Sequence, residues 1–202
     1  MIYLYYIYLA SYGVFSSYCY YKDVISNDDI IKATSNKLKY KKALPIVTFN
    51  LTIVSYPVFS IILKYYQPQE FELFQSIIHI IIAKYISQLL FYIFHRIFHY
   101  IPQIKKYHKV HHNFQNPIGL CAAYTHPIDF IFGNMVPLGI TPFILQVNIY
   151  TMVVIIIYGI YETIVNEHSN YNNRDHHLKH HKYFNYNFGE TSLDKFFGTY
   201  KE

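Results

Sequence analysis

Twelve histidines occur in 202 residues, and all but His79 lie between His95 and His181. Eight of them form three boxes: His95-x-x-x-His99, His108-x-x-His111-His112 and His177-x-x-His180-His181. A spacing of three or four residues puts side chains on one helix face about a turn apart. Neutral imidazole is a ligand for iron, zinc, copper and nickel. Eight donors exceed what one ion takes and suit two ions with four or five nitrogens each. Structural zinc usually draws on cysteine, and no Cys-x-x-Cys occurs here. An all-histidine pair of metals suits redox chemistry with dioxygen, which points to non-haem iron. The plain alternatives are chance clustering of surface histidines or a pH sensor, and three boxes with related spacing argue against both.

Something must carry these boxes. Hydrophobic residues make up 52% of the chain and charged residues 14%, too apolar for disorder. Two cysteines, Cys19 and Cys121, are too few for a disulfide scaffold. The mean hydropathy of +0.10 is low for a membrane protein. That index scores Tyr as polar, and 24 Tyr lie largely within apolar runs. Four such runs stand out: 2–21, 43–63, 71–94 and 128–165. About 20 apolar residues cross a bilayer as a helix. The first three runs each suit one crossing. The fourth suits two short crossings or a hairpin, with Pro137 and Pro142 as expected break points. The first run has no basic start and no small-residue cleavage site, and reads as a retained anchor or an interfacial segment.

With these crossings, the loop 22–42, the segment 95–127 and the tail 166–202 share one face. They hold 15 of the 17 Lys and Arg residues. The positive-inside rule makes that face cytoplasmic, and every box falls on it. The basic residues form no dense stripe and no nucleic-acid motif, so nucleic acid is not expected as a partner. The expected fold is therefore all-α: a polytopic membrane bundle of four to five helices or a hairpin, with a cytoplasmic His-rich cap for two metals. One integrated domain is expected over 1–202. His79 lies alone within a run and reads as a packed residue. A soluble helical protein is the lesser alternative.

The three boxes and their surroundings resemble the fatty acid hydroxylase / sterol desaturase superfamily of membrane di-iron oxygenases. The stretch from His95 to Pro137 is similar to the C-4 methylsterol oxidase branch, with His108-Lys-Val-His-His112, an aromatic-x-x-Pro after it and Tyr124-Thr-His-Pro127. The tail Asn187-Phe-Gly through Asp194 to Phe197-Gly-Thr199 is similar to the superfamily ending, with Leu193 where Trp is common. The likeness covers roughly 70–200, and 1–69 supplies N-terminal membrane segments and a basic loop. It implies His168, in Asn166-Glu-His-Ser-Asn170, as a ninth ligand and His126 as a further candidate. His177 is preferred over His176 because it completes the box. Two departures stand out. Only eight residues separate His168 from His177, which puts a substrate lid in doubt, and Asn170-Tyr171 replaces the usual Gly-Tyr.

The resemblance implies an iron-dependent lipid oxidoreductase that uses O2. The first expectation is C-4 methylsterol oxidation, with sterol C-5 desaturation and fatty acid 2-hydroxylation as rivals. It also implies electrons from NAD(P)H through a cytochrome b5-type donor and its reductase, and residence in the endoplasmic reticulum. Zinc is a plausible substitute metal. Carboxylates behind the imidazoles would fix their tautomers, and Asp129, Glu162, Glu167 and Asp175 are candidates by proximity. The non-enzyme alternative is a degenerate metal-binding membrane protein. A decayed enzyme should have lost box residues, and a transporter should carry ligands inside its spans.

Overall fold

A computed structural model describes residues 2–169, 171 and 175–202. Asn170 and Arg174, used above in the family comparison and the charge count, lie outside the described residues. Eight helices organise the fold: α1 (Tyr3–Tyr20), α2 (Ile30–Tyr65), α3 (Leu73–Tyr100), α4 (Pro102–His108), α5 (Pro127–Ile144), α6 (Ile149–Glu167), α7 (His176–Tyr183) and α8 (Thr191–Phe196). No strand occurs among the described residues.

Helices α2, α3, α5 and α6 are long and apolar enough to cross a bilayer. Their apolar side chains largely face outward: Ile77, Ile81, Tyr85 and Ile86 on α3 are exposed. A water-soluble bundle would bury such a face, whereas a bilayer solvates it. Helix α1 is uncharged and lies along α2 and α6. Tyr5 donates a hydrogen bond to the carbonyl of Leu51, and Phe15 packs on Tyr161.

The basic stretch 22–42 differs from the expected loop. From Ile30 onward it is the first part of α2. Its Lys, Leu and Ala content favours helix, and Asn36, Tyr40, Ala43 and Val47 form one buried stripe while Lys32, Lys37, Lys41 and Lys42 stay exposed. The hairpin also turns elsewhere than expected. The chain reverses at residues 145–148, where Gln146 adopts a positive φ of 48° and the Asn148 side chain caps α6 through the Thr151 N–H. Pro142 lies inside α5, and Pro137 follows a π-helical turn, Phe130–Met135, in which the regular hydrogen-bond ladder is already altered.

The connections segregate to the two ends of the bundle. At one end Tyr66 bonds the carbonyl of Val147, and Asn148 donates to Ser76 Oγ at 2.7 Å. At the other, Lys39 reaches the carbonyl of Asn116 at 3.1 Å and Tyr171 that of Cys19 at 3.1 Å. All three histidine boxes lie at this second end. Residues 119–123 between α4 and α5 are wholly buried. Buried backbone needs partners, and Asn50 of α2 donates to the carbonyls of Ala123 and Thr125, both at 2.9 Å.

Candidate metal centre

The helix periodicity of α3 stacks His95 and His99 on its last turns, next to Phe91. Pro102 starts α4 after a sharp bend, and α4 returns His108 to face them. A 3-10 turn, His111–Asn113, then splits the adjacent pair His111 and His112 between two directions. His168 follows the π-helical end of α6, Glu162–Glu167. Helix α7 presents His177, His180 and His181.

The nine imidazoles form two groups. His95, His99, His108, His112 and His180 form one, and His111, His168, His177 and His181 the other; within each, the donor nitrogens all lie within 4.8 Å of one another. Eight of the nine residues are buried.

Five rings have their Nδ1 engaged from behind. His95 meets the carbonyl of Phe188 at 2.5 Å, His180 that of Tyr186 at 2.7 Å, His181 that of Phe114 at 3.0 Å and His168 that of Thr163 at 2.6 Å. His108 meets Asp129 Oδ2 at 2.9 Å. Carbonyls and carboxylates only accept, so each of these rings donates from Nδ1 and carries a lone pair on Nε2. Those lone pairs face one another. His95 and His108 bring their Nε2 atoms to 3.0 Å, and His111 stands 3.1 Å from His181 and 3.4 Å from His168.

Protonation does not relieve this crowding. Burial, followed by neighbouring imidazoles, lowers His111 and His177 well below the usual histidine range. Burial lowers His168 to about 4 and His181 to about 3, against the partial opposition of their backbone hydrogen bonds. The arrangement is that of donors round a cation. Two nitrogens about 2.1 Å from one centre stand ~3.0 Å apart at a right angle and ~3.4 Å apart at a tetrahedral angle. The observed spacings match, so the residues present fit metal ions.

Asp129 is the sequence candidate that stands behind an imidazole. It is buried, and Gly133 gives it room: a Cβ there would lie 2.8 Å from its Oδ1. Asp175 is not such a group; it is exposed and pairs with Lys179 at 3.3 Å. Glu162 and Glu167 line a cavity that reaches His168. His126 belongs to neither group. Its Nδ1 accepts the Ile128 N–H at 3.2 Å, and its ring stacks on Tyr107 at 4.3 Å, which makes it the cap of α5. His176 bonds Asp194 Oδ2 at 2.9 Å, and His79 is buried within α3 away from both groups.

Sequence reasoning gave Asp194 no role. It is fully buried and accepts from the N–H groups of Phe188 and Gly189, from Thr199 Oγ1 and from His176. Burial alone would raise its pKa, but these hydrogen bonds outweigh it and hold the carboxyl below its ordinary value. Asp194 thereby fixes the segment whose carbonyls receive His95 and His180. The signal was its place in the tail motif.

Two cavities adjoin the centre. A small one of about 30 Å³ lies between the groups, against His95, His108, His111, His168 and His177. A larger one of about 180 Å³ runs down between α1, α3, α5 and α6. Phe91 and His168 border both.

The sequence profile of the fatty acid hydroxylase family matches residues 80–199, more than half of the chain, and the chain belongs to that family. Fatty acid hydroxylase domain-containing protein 2 of Homo sapiens is 30% identical over 115 residues, 54% of this chain and 34% of the relative. Fatty acid hydroxylase ahd1 of Mycosarcoma maydis is 37% identical over 112 residues, 50% of this chain and 28% of the relative. C-4 methylsterol oxidase erg25 of Schizosaccharomyces pombe is 32% identical over 114 residues, 48% of this chain and 38% of the relative. The matches thus cover well under half the length of these relatives. No solved structure matches.

Proposed function

From membership in the fatty acid hydroxylase family, we propose that this chain is a membrane-bound di-iron oxygenase acting on a lipid C–H bond. The observation that carries the reading is the division of nine imidazoles into groups of five and four, with unprotonated nitrogens facing inward. The first group would hold one iron and the second the other. When bound, the pair supplies the reduction of O2 that an unactivated C–H bond requires. Hydroxylation then consumes O2, two electrons and two protons, and gives the alcohol and water.

The protein's part is ligation, orientation and exclusion of water. Asp129 keeps the proton of His108 on Nδ1, and the carbonyls of Phe188, Tyr186, Thr163 and Phe114 do the same for four further rings. Phe184 packs on His112 at 4.4 Å and on His99 at 4.8 Å, shielding that group. The larger cavity gives a lipid a path to His168 from within the bundle.

A sterol is the first substrate to test, because relatives named methylsterol oxidase support it. An acyl amphiphile is the second, favoured by the polar turn in the cavity described below. Electrons would come from NAD(P)H through a cytochrome b5-type carrier, for which the exposed Lys106, Lys109 and Lys182 offer a basic approach. The histidine end would face the cytoplasm, in the endoplasmic reticulum of a eukaryotic cell.

The test is metal content of the detergent-purified protein, followed by O2-dependent turnover with 4-methylsterols. About two irons per chain, lost in His111→Ala/His180→Ala, is the expected result. Zinc alone calls for reconstitution with Fe(II). No metal even after reconstitution would overturn the reading.

A further inference from the structure

Between Leu73 and His95, helix α3 carries one charge, Lys84, near the middle of its apolar length. A cation at that depth is costly against lipid, so such residues face a cavity and meet a partner there. Lys84 is itself exposed and stands at the rim of the larger cavity, which Ser87, Gln88 and Phe91, one and two turns further along the helix, also border. The next turn brings His95. Lys84 thus opens a polar turn beside Ile80, Leu138, Val154 and Ile160 of the wall, which also holds Asn134 and Tyr158. Among the described residues no carboxylate pairs with it. The cavity's own carboxylates stand towards the imidazole end: Glu162 and Glu167 in the turn before His168, and Glu190 beside Gly189.

We propose that Lys84, with Gln88, binds the carboxylate of an acyl amphiphile and thereby directs oxidation to a carbon far from that head group. His95 lies eleven residues beyond Lys84, about 16 Å along the helix at 1.5 Å per residue. The hydrocarbon runs along Phe91 to the small cavity between the two imidazole groups. The inference rests on the reading that the larger cavity feeds the histidine centre.

The test is displacement of the fluorescent acid cis-parinarate from the detergent-purified, iron-loaded protein. Hexadecanoate should displace it at about a tenfold lower concentration than hexadecanol, the scale of one hydrogen bond to a charged group. Lys84→Met should abolish that preference while keeping wild-type metal content, and Lys84→Arg should retain it. Gln88→Leu should weaken it several-fold and serves if Lys84→Met does not fold. Equal displacement by acid and alcohol in the wild type, or an unchanged preference in folded Lys84→Met or Gln88→Leu, would overturn the proposal. Metal content separates the two readings: a metal-loaded protein without the acid preference defeats only the subsite, and a protein that prefers the acid but binds no metal defeats only the oxygenase.

Discussion

The two imidazole groups use the same donor and are supported differently. The group of five is framed by Asp129, by the Phe188 and Tyr186 carbonyls and by the rings of Phe184 and Phe188, with Asp194 bracing the tail. The group of four leans on two backbone carbonyls, those of Thr163 and Phe114, and its His168 borders the larger cavity. Identical donors thus have one set backed by a side-chain carboxylate and aromatic rings, and one set, buried throughout, that reaches the larger cavity through His168.

Removing donors gives the largest effect. His180→Ala should reduce metal content from about two per chain to about one, and adding His111→Ala should bring it near zero. Elemental analysis reads both, and complete loss in the single variant would show that the groups do not bind independently. Asp129→Asn comes next. Loss of an outer partner typically costs ten- to a hundredfold in metal affinity. The expected result in chelator competition is that one of the two metals leaves early and the other holds; simultaneous release would erase the contrast.

Acid has a smaller and graded effect on the metal-free protein. His168 and His181 have folded-state pKa values of about 4 and about 3, below the unfolded value near 6.5. Between those limits the unfolded chain binds more protons, so stability is present above pH 6.5 and lost as pH falls. Each ring accounts for roughly 2 kcal/mol between pH 8 and pH 5. Thermal unfolding at a series of pH values checks this, and a flat profile would contradict the burial. His126→Ala should have the smallest effect, about 1 kcal/mol for a lost cap, with unchanged metal content. A metal deficit in that variant would return His126 to the centre.

Most of this centre was legible in the sequence. Helical spacing announced the boxes, and the family likeness added His168 to give the nine residues that come together. The membrane helices followed from apolar runs, except where charge was mistaken for loop: the lysines of α2 sit on its exposed face while Tyr40 and Val47 turn inward. Proline was a poor guide to the hairpin. The turn was set by Gln146 and Asn148, whose conformations depend on contacts with residues some 70 positions away, such as Ser76 and Gln69. Most of the outer support was invisible for a simpler reason. It consists of backbone carbonyls, which every residue has and which only the fold can aim. Asp129 was found because it is a side chain, and Asp175 was proposed on the same ground although its neighbour is Lys179.

The free cysteines leave this chain without a covalent cross-link among its described residues. The two metals would take that part. Their ligands span residues 95 to 181, and each ion would clip segments that chain connectivity alone leaves far apart. Closing loops of that length removes much of the freedom of the unfolded chain. If the proposed irons are bound there, iron starvation would cost more than turnover: the tail through α7 and α8 would loosen, and the protein would become shorter-lived where iron is scarce.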